Sequence, residues 1–316
     1  MSYIEIKNLK KFYNIYSGKF FKRTKNIVKA IDGIDLKVEK GDFLGYIGPN
    51  GAGKSTTIKV LTGILKPDSG TVEVNGLNPH KDRKKYVRNI GAVFGQKTQM
   101  WWDLPVIETY KLLKSIYKID SKEYKKHLEY LVERLDVKDF LNQPVRQLSL
   151  GQRMRAELVS SMLHKPDILF LDEPTIGLDI VSKHKVLDFL KEVNLSGTTI
   201  FLTTHDLKDI EKLCKEIMIL NKGKIIYKGH HSNLNDLTQL PSRLKIDIVD
   251  YSLNKNQKII IEKYKAEYIS ENKEIIIPID GYKPGEVAKE FFQYFEIDNF
   301  KVEEPGIEEV IKEYYS

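Results

Sequence analysis

The stretch Gly48-Pro49-Asn50-Gly51-Ala52-Gly53-Lys54-Ser55 constrains this chain more than any other. It matches G-x-x-x-x-G-K-[ST], in which glycines let successive backbone N–H groups turn inward around phosphate oxygens. The apolar run Asp42 to Ile47 precedes it, and Thr56 to Ile64 follows with helical spacing. A strand entering such a loop and a helix leaving it put the helix N-terminus, with its partial positive charge, behind the phosphates. Lys54 then reaches the β- and γ-phosphates of a bound nucleotide, Ser55 holds Mg²⁺, and Thr56 starts the helix beside them. A glycine turn without a ligand is the alternative, and the strand–loop–helix context argues against it.

The rest of the chain supplies the elements for an α/β sheet around that loop. Tyr3 to Leu9 and Ile34 to Glu39 alternate like strands, with a basic insert, Ser17 to Lys29, read as a surface loop between them. Thr71 to Val74 and Ile90 to Phe94 are short strands, and Thr109 to Leu163 is helical in period. Ile168 to Leu171, Thr198 to Thr203 and Glu216 to Leu220 are short apolar runs suited to a buried parallel sheet. Asn221 to Gly229 closes this part like a hairpin. Near residue 232 the composition shifts, giving domains 1–231 and 232–316. In the second, strands are expected at Leu244 to Val249, Lys258 to Ile261 and Glu274 to Ile279. Helices are expected there at Glu286 to Phe295 and Ile307 to Tyr315.

Composition narrows the function classes. Hydrophobic residues are 41% and charged residues 30%, a globular balance. No run of about 18 apolar residues marks a membrane span, and the opening MSYIEIKNLKKFY lacks a signal peptide's apolar core. One cysteine, Cys214, excludes an internal disulfide and a cysteine metal cluster and fits a reducing cytoplasm. The net charge of +7 admits nucleic acid or an anionic membrane face as a neighbour, although lysines spread over many helices read first as solvated surface.

Two carboxylates end the apolar run Ile168 to Leu171. Asp172 is placed to bind Mg²⁺ through water, and Glu173 to orient and deprotonate an attacking water. Gln96 follows the strand 90–94 and His205 the strand 198–203. Each is either a loop residue or a polar head beside the γ-phosphate, with Gln96 also a candidate Mg²⁺ ligand. Tyr13 or Tyr16 offers a ring for adenine. Leu148-Ser149-Leu150-Gly151-Gln152 opens a helix, either with Ser149 as a plain N-cap or as a second anion site.

The order of these motifs decides. Gln147 to Gln152, then the strand with Asp172-Glu173, then Gly177-Leu178-Asp179, then His205 resembles the ATPase subunits of ATP-binding cassette (ABC) transporters over about residues 1–230. The resemblance implies a P-loop core with an antiparallel β arm and a helical insert, followed by a small α+β domain. It implies ATP and Mg²⁺ as cofactors, and a second copy of the chain as partner. In a head-to-tail ATP sandwich, Ser149, Gly151, Gln152 and Asp179 would then complete the nucleotide site of that copy. A separate permease is also implied, with the chain cytoplasmic and peripheral on the membrane's inner face, and no nucleic acid. Two positions depart from the family pattern: Leu150, where glycine is usual, and Gly177, where serine or alanine is frequent. LSLGQ, FGQKTQMWWDLP and the ending EEPGIEEVIKEYY resemble the antibiotic and sodium efflux branch. Trp101 and Trp102 are then either core or the floor of an aromatic groove for the permease. A soluble ATPase acting on nucleic acid or ribosomes, or a nucleotide-sensing regulator, are the rival readings.

Overall fold

A computed structural model describes residues 2–17, 24–95, 97–204, 206–230, 233, 241–249 and 253–303. The chain forms two compact units, residues 1–231 and 232–316.

The first unit opens with two long antiparallel strands, β1 (Ile4–Ser17) and β2 (Thr24–Val38), paired from Ile4↔Val38 out to Ser17↔Thr24. The ends of the basic insert are therefore strand, not loop. Tyr13, Ile15, Ile27 and Val28 are β-formers whose rings and branches are exposed on this arm, held there by the backbone ladder. Next come β3 (Phe43–Ile47), α1 (Lys54–Leu61), β4 (Ser69–Val74), α2 (Arg83–Tyr86) and β5 (Ile90–Phe94). The helical insert consists of α3 (Val106–Tyr117), α4 (Ser121–Arg134) and α5 (Leu150–Met162). The remainder is β6 (Ile168–Asp172), α6 (Ile180–Leu195), β7 (Thr199–Thr204), α7 (Leu207–Leu213), β8 (Glu216–Asn221) and β9 (Lys224–His230).

Six strands make the main sheet in the order β5-β6-β7-β3-β8-β9, parallel except for β9, and β2-β1-β4 form a separate antiparallel sheet. β3 and β7 are buried along their whole length, as a sheet covered on both faces requires. Because β3, β6 and β7 are neighbours and parallel, the loops at their C-terminal ends emerge side by side.

The second unit runs β10 (Arg243–Ile248), α8 (Lys255–Lys263), β11 (Glu267–Ile269), β12 (Glu274–Pro278), α9 (Pro284–Phe291) and β13 (Ile297–Glu303). Its sheet order is β11-β12-β10-β13, all antiparallel, a βαββαβ ferredoxin-like arrangement. Here the expected strand at Lys258 to Ile261 is wrong: those residues lie in α8. The three consecutive isoleucines mimic a strand, but Ile259 is exposed while Ile260 packs with Tyr264, one helical turn on, in the core with Ile246 and Ile275. The expected helix 307–315 lies outside the described residues.

Candidate active site

The loop 48–53 leads straight from β3 into α1, and a cleft of ≈ 710 Å³ opens above it. Asn50, Gly51, Gly53, Lys54, Ser55 and Thr56 line it from one side, and Asp172 and Glu173 from the end of β6. Gly48, Pro49 and Ala52 shape the loop from behind. The carbonyls of Gly48 and Pro49 accept from Lys54 Nζ at 2.7 and 3.2 Å, holding a lysine that is only 5% exposed. Lys54 Nζ also lies 3.6 Å from Glu173 Oε1. Ser55 Oγ donates to Asp172 Oδ1 at 3.0 Å. A hydroxyl and a carboxylate brought together in this way are hard oxygen donors, the set that Mg²⁺ takes.

Two features of this corner went unread in the sequence. Thr203, at the end of β7, donates to Asp172 Oδ1 at 2.7 Å, and its oxygen accepts from the Glu173 N–H at 3.2 Å. A threonine closing a buried apolar run was the only hint. Gly95 N–H donates to the Asp172 carbonyl at 2.8 Å, and a Cβ on Gly95 would stand 2.2 Å from the Glu173 carbonyl oxygen. Only glycine lets the segment after β5 come that close. Glu173 itself has φ 53, a left-handed conformation costly for a non-glycine residue and typical of functional turns.

Gln96 and His205 lie outside the described residues. Their neighbours Gly95, Lys97 and Thr98 line the cleft, and Thr204 ends the strand beside Asp172. Tyr13 is not among the lining residues. It pairs with Val28, two positions along β2 from Ala30, which does line the cleft. The Tyr16 side chain is outside what is described.

Ser149, Gly151, Gln152 and Asp179 are brought together elsewhere, away from this cleft. Ser149 N-caps α5 in a reciprocal box: its Oγ accepts from Gln152 N–H at 3.2 Å, and Gln152 Oε1 accepts from Ser149 N–H at 2.9 Å. Asp179 N-caps α6, accepting from Ser182 N–H at 2.9 Å, and hydrogen bonding from the Ser182 hydroxyl first, then from its N–H, holds the carboxyl below the ordinary range. Gly151 sits against the same two residues, with Asp179 Oδ2 at 3.2 Å and Ser182 Oγ at 2.5 Å from the place of its missing Cβ. Two helix N-termini thus stand together with Ser149 and Asp179 exposed. Leu150 does not lie against its own helix alone: its Cδ2 closes over Gly177. Trp101 and Trp102, 47% and 48% exposed, are not core, and Arg153 stacks over the Trp102 ring at 5.8 Å.

Comparison with known proteins meets this geometry. The ABC transporter family model matches residues 31–176. The ABC transporter ATP-binding protein NatA of Bacillus subtilis is 31% identical over 209 residues, covering 66% of this chain and 85% of that protein. The linearmycin resistance ATP-binding protein LnrL of the same organism is 32% identical over 231 residues, covering 73% and 70%. The dimeric ATP-binding cassette MJ0796, solved in a post-hydrolysis state with ADP and Pi, superposes with a TM-score of 0.63 at 26% identity, covering 72% of this chain and 98% of that one. With the phosphate loop, the paired carboxylates and the capped helix of the signature Leu148-Ser149-Leu150-Gly151-Gln152 in one unit, this chain belongs to the ABC transporter family as one of its ATP-hydrolysing, ATP-binding subunits.

Proposed function

We propose that this chain works as a pair of identical copies that close on two ATP molecules and drive a separate membrane-spanning permease, in the direction of export. The observation that carries this reading is the convergence of Lys54, Ser55, Asp172 and Glu173 on one cleft. Lys54 binds the terminal phosphates, and the N–H groups of residues 50–54 surround them. Ser55 and Asp172 hold Mg²⁺, which neutralises charge building up on the transferred phosphoryl group. Glu173 takes the proton of the attacking water, with Gln96 and His205 completing the γ-phosphate end and Tyr13 or Tyr16 meeting the base.

Ser149, Gly151, Gln152 and Asp179 stand apart from the cleft of their own chain, which suits a role at the partner copy's nucleotide. A separate permease fits the absence, among the described residues, of any helix long and apolar enough to cross a membrane. Trp101, Trp102 and Leu104 give it an exposed apolar contact, and binding there places the chain peripherally on the membrane. Export is favoured by relatives named for linearmycin and daunorubicin resistance and for Nod factor export. Residues 232–316 are an accessory domain outside the nucleotide machinery.

The test is Glu173→Gln. It keeps ATP binding, slows turnover by roughly 10²–10⁴-fold, and accumulates an ATP-dependent dimer in size-exclusion chromatography. Turnover close to wild type removes Glu173 from the base role.

A further inference from the structure

Behind the segment that borders the nucleotide cleft lies a second cavity of ≈ 140 Å³, with Gln99, Thr109, Tyr117, Glu157, Ser160 and His164 in its wall. Glu157 sits in α5, the helix capped by Ser149, and is 3% exposed. Burying a carboxyl is costly unless hydrogen bonds compensate, and here they come from a single short stretch. Glu157 Oε1 accepts from the Thr98 hydroxyl and from the Gln99 N–H at 2.7 Å, and Met100 N–H donates to Thr98 Oγ1 at 3.2 Å. Gln99 Nε2 in turn donates to the Ala92 carbonyl of β5 at 2.6 Å. Thr98 and Gln99 also line the nucleotide cleft. The stretch 98–100 is therefore latched to β5 on one side and to α5 on the other.

The far side of the carboxyl faces a polar lining that packing alone does not require. Glu157 Oε2, Ser160 Oγ and His164 Nδ1 are buried without hydrogen-bond partners. His164 Nε2 meets the Ile90 carbonyl at 2.9 Å, so Nε2 carries the proton and Nδ1 is an acceptor; the ring stacks on Tyr117 at 3.9 Å. An apolar residue at 157 would remove one of these stranded atoms, Oε2, but would leave the Thr98 hydroxyl and the Gln99 N–H without their acceptor. What the carboxylate adds is the connection to 98–100.

We propose that Glu157 is a positioning residue for ATP turnover, latching the cleft wall at 98–100 to the helix that presents Ser149 so that the two move as one body. The proposal rests on the reading of Ser149 and Gly151 as the half-site for the partner copy's nucleotide. Without the latch, the segment following Gln96 shifts relative to Ser55, Asp172 and Glu173, and α5 no longer follows the nucleotide bound in its own chain. Displacements of about 1 Å at a reacting centre cost on the order of a hundredfold in rate.

The experiment uses the full chain. Turnover, KM and ATP affinity are measured for Glu157→Ala, Glu157→Gln and Thr98→Val, and ATP-driven dimer formation for each in the Glu173→Gln background, with Ser149→Ala in parallel. Glu157→Ala loses about tenfold or more in kcat with ATP affinity retained, and its dimer is weakened. Glu157→Gln, whose amide oxygen accepts the same bonds, recovers most of the activity. Thr98→Val, which removes the hydroxyl from the segment's side, falls between. Wild-type kcat in Glu157→Ala and Thr98→Val overturns the proposal, and so does a lowered Tm with kcat per folded molecule unchanged. If Glu157→Ala does not fold, Thr98→Val decides. If Ser149→Ala dimerises like its parent, the half-site reading fails, the link to α5 fails with it, and a kcat loss in the Glu157 variants supports the cleft side alone. If Ser149→Ala blocks the dimer while the Glu157 variants dimerise and turn over normally, the half-site stands and the latch falls.

Discussion

A Cβ on Gly177 would stand 2.8 Å from Leu150 Cδ2, and Gly177 holds φ 68. The two departures from the family pattern are therefore in contact: the larger residue in the signature covers the smaller one in the loop before Asp179. Gly177→Ala should cost about 1–2 kcal/mol for the left-handed backbone and a further amount, roughly 1 kcal/mol, for overpacking on Leu150. In a Leu150→Gly background the second part should vanish. A double-mutant cycle of urea unfolding measures it, and additive effects would show that the leucine yields freely. Glu157 gives a second prediction at this scale. Burial pushes its carboxyl above the ordinary 4.5, so the native state holds the proton more tightly than the unfolded chain does. Its contribution to stability is full below pH 4.5 and is lost as pH rises through the folded value. Glu157→Gln lacks this loss, so its stability relative to wild type should rise with pH above 4.5. Unfolding curves across that range check it, and a pH-independent difference would contradict the burial argument.

Among the elements, α8 shows where local pattern misleads. Ile259, Ile260 and Ile261 read as strand, yet Asn254 and Gln257 form a reciprocal capping box at 2.8 and 2.9 Å that starts a helix. The helix points Gln257 and Ile260 inward, and Gln257 Nε2 donates to the Tyr294 carbonyl at 2.9 Å. Asn254→Ala should destabilise the second unit by about 1 kcal/mol, seen as a lower midpoint for that unit alone in calorimetry. A change in the first unit's transition would contradict the assignment. By contrast, β5 was readable to the residue because a five-residue apolar run bounded by Asn89 and Gly95 has few alternatives. The ends of the arm, β1 and β2, were not: their lysines suggested a loop, and only the pairing partner across the hairpin makes them strand.

At the scale of the molecule, the residues proposed to bind nucleotide all lie in the unit 1–231 and the ferredoxin-like sheet has a core of its own. Truncation after residue 231 should thus leave ATP affinity within about a factor of two, measured by titration of the purified fragment. A folded fragment that has lost binding would place part of the site in residues 232–316. The P-loop, the two carboxylates and the signature could be read directly from the sequence because each is a run of adjacent residues whose chemistry depends on local spacing. So could the alternation of apolar runs and helical stretches that yields a P-loop sheet. The tertiary structure alone decided which distant residues meet: Thr203 on Asp172, Gly95 under Glu173, Leu150 over Gly177, and Glu157 against Thr98. Those contacts join positions from 27 to 78 residues apart. They are set by strand order and helix packing, which bring together side chains whose local sequence carries no mark of the partner they will find.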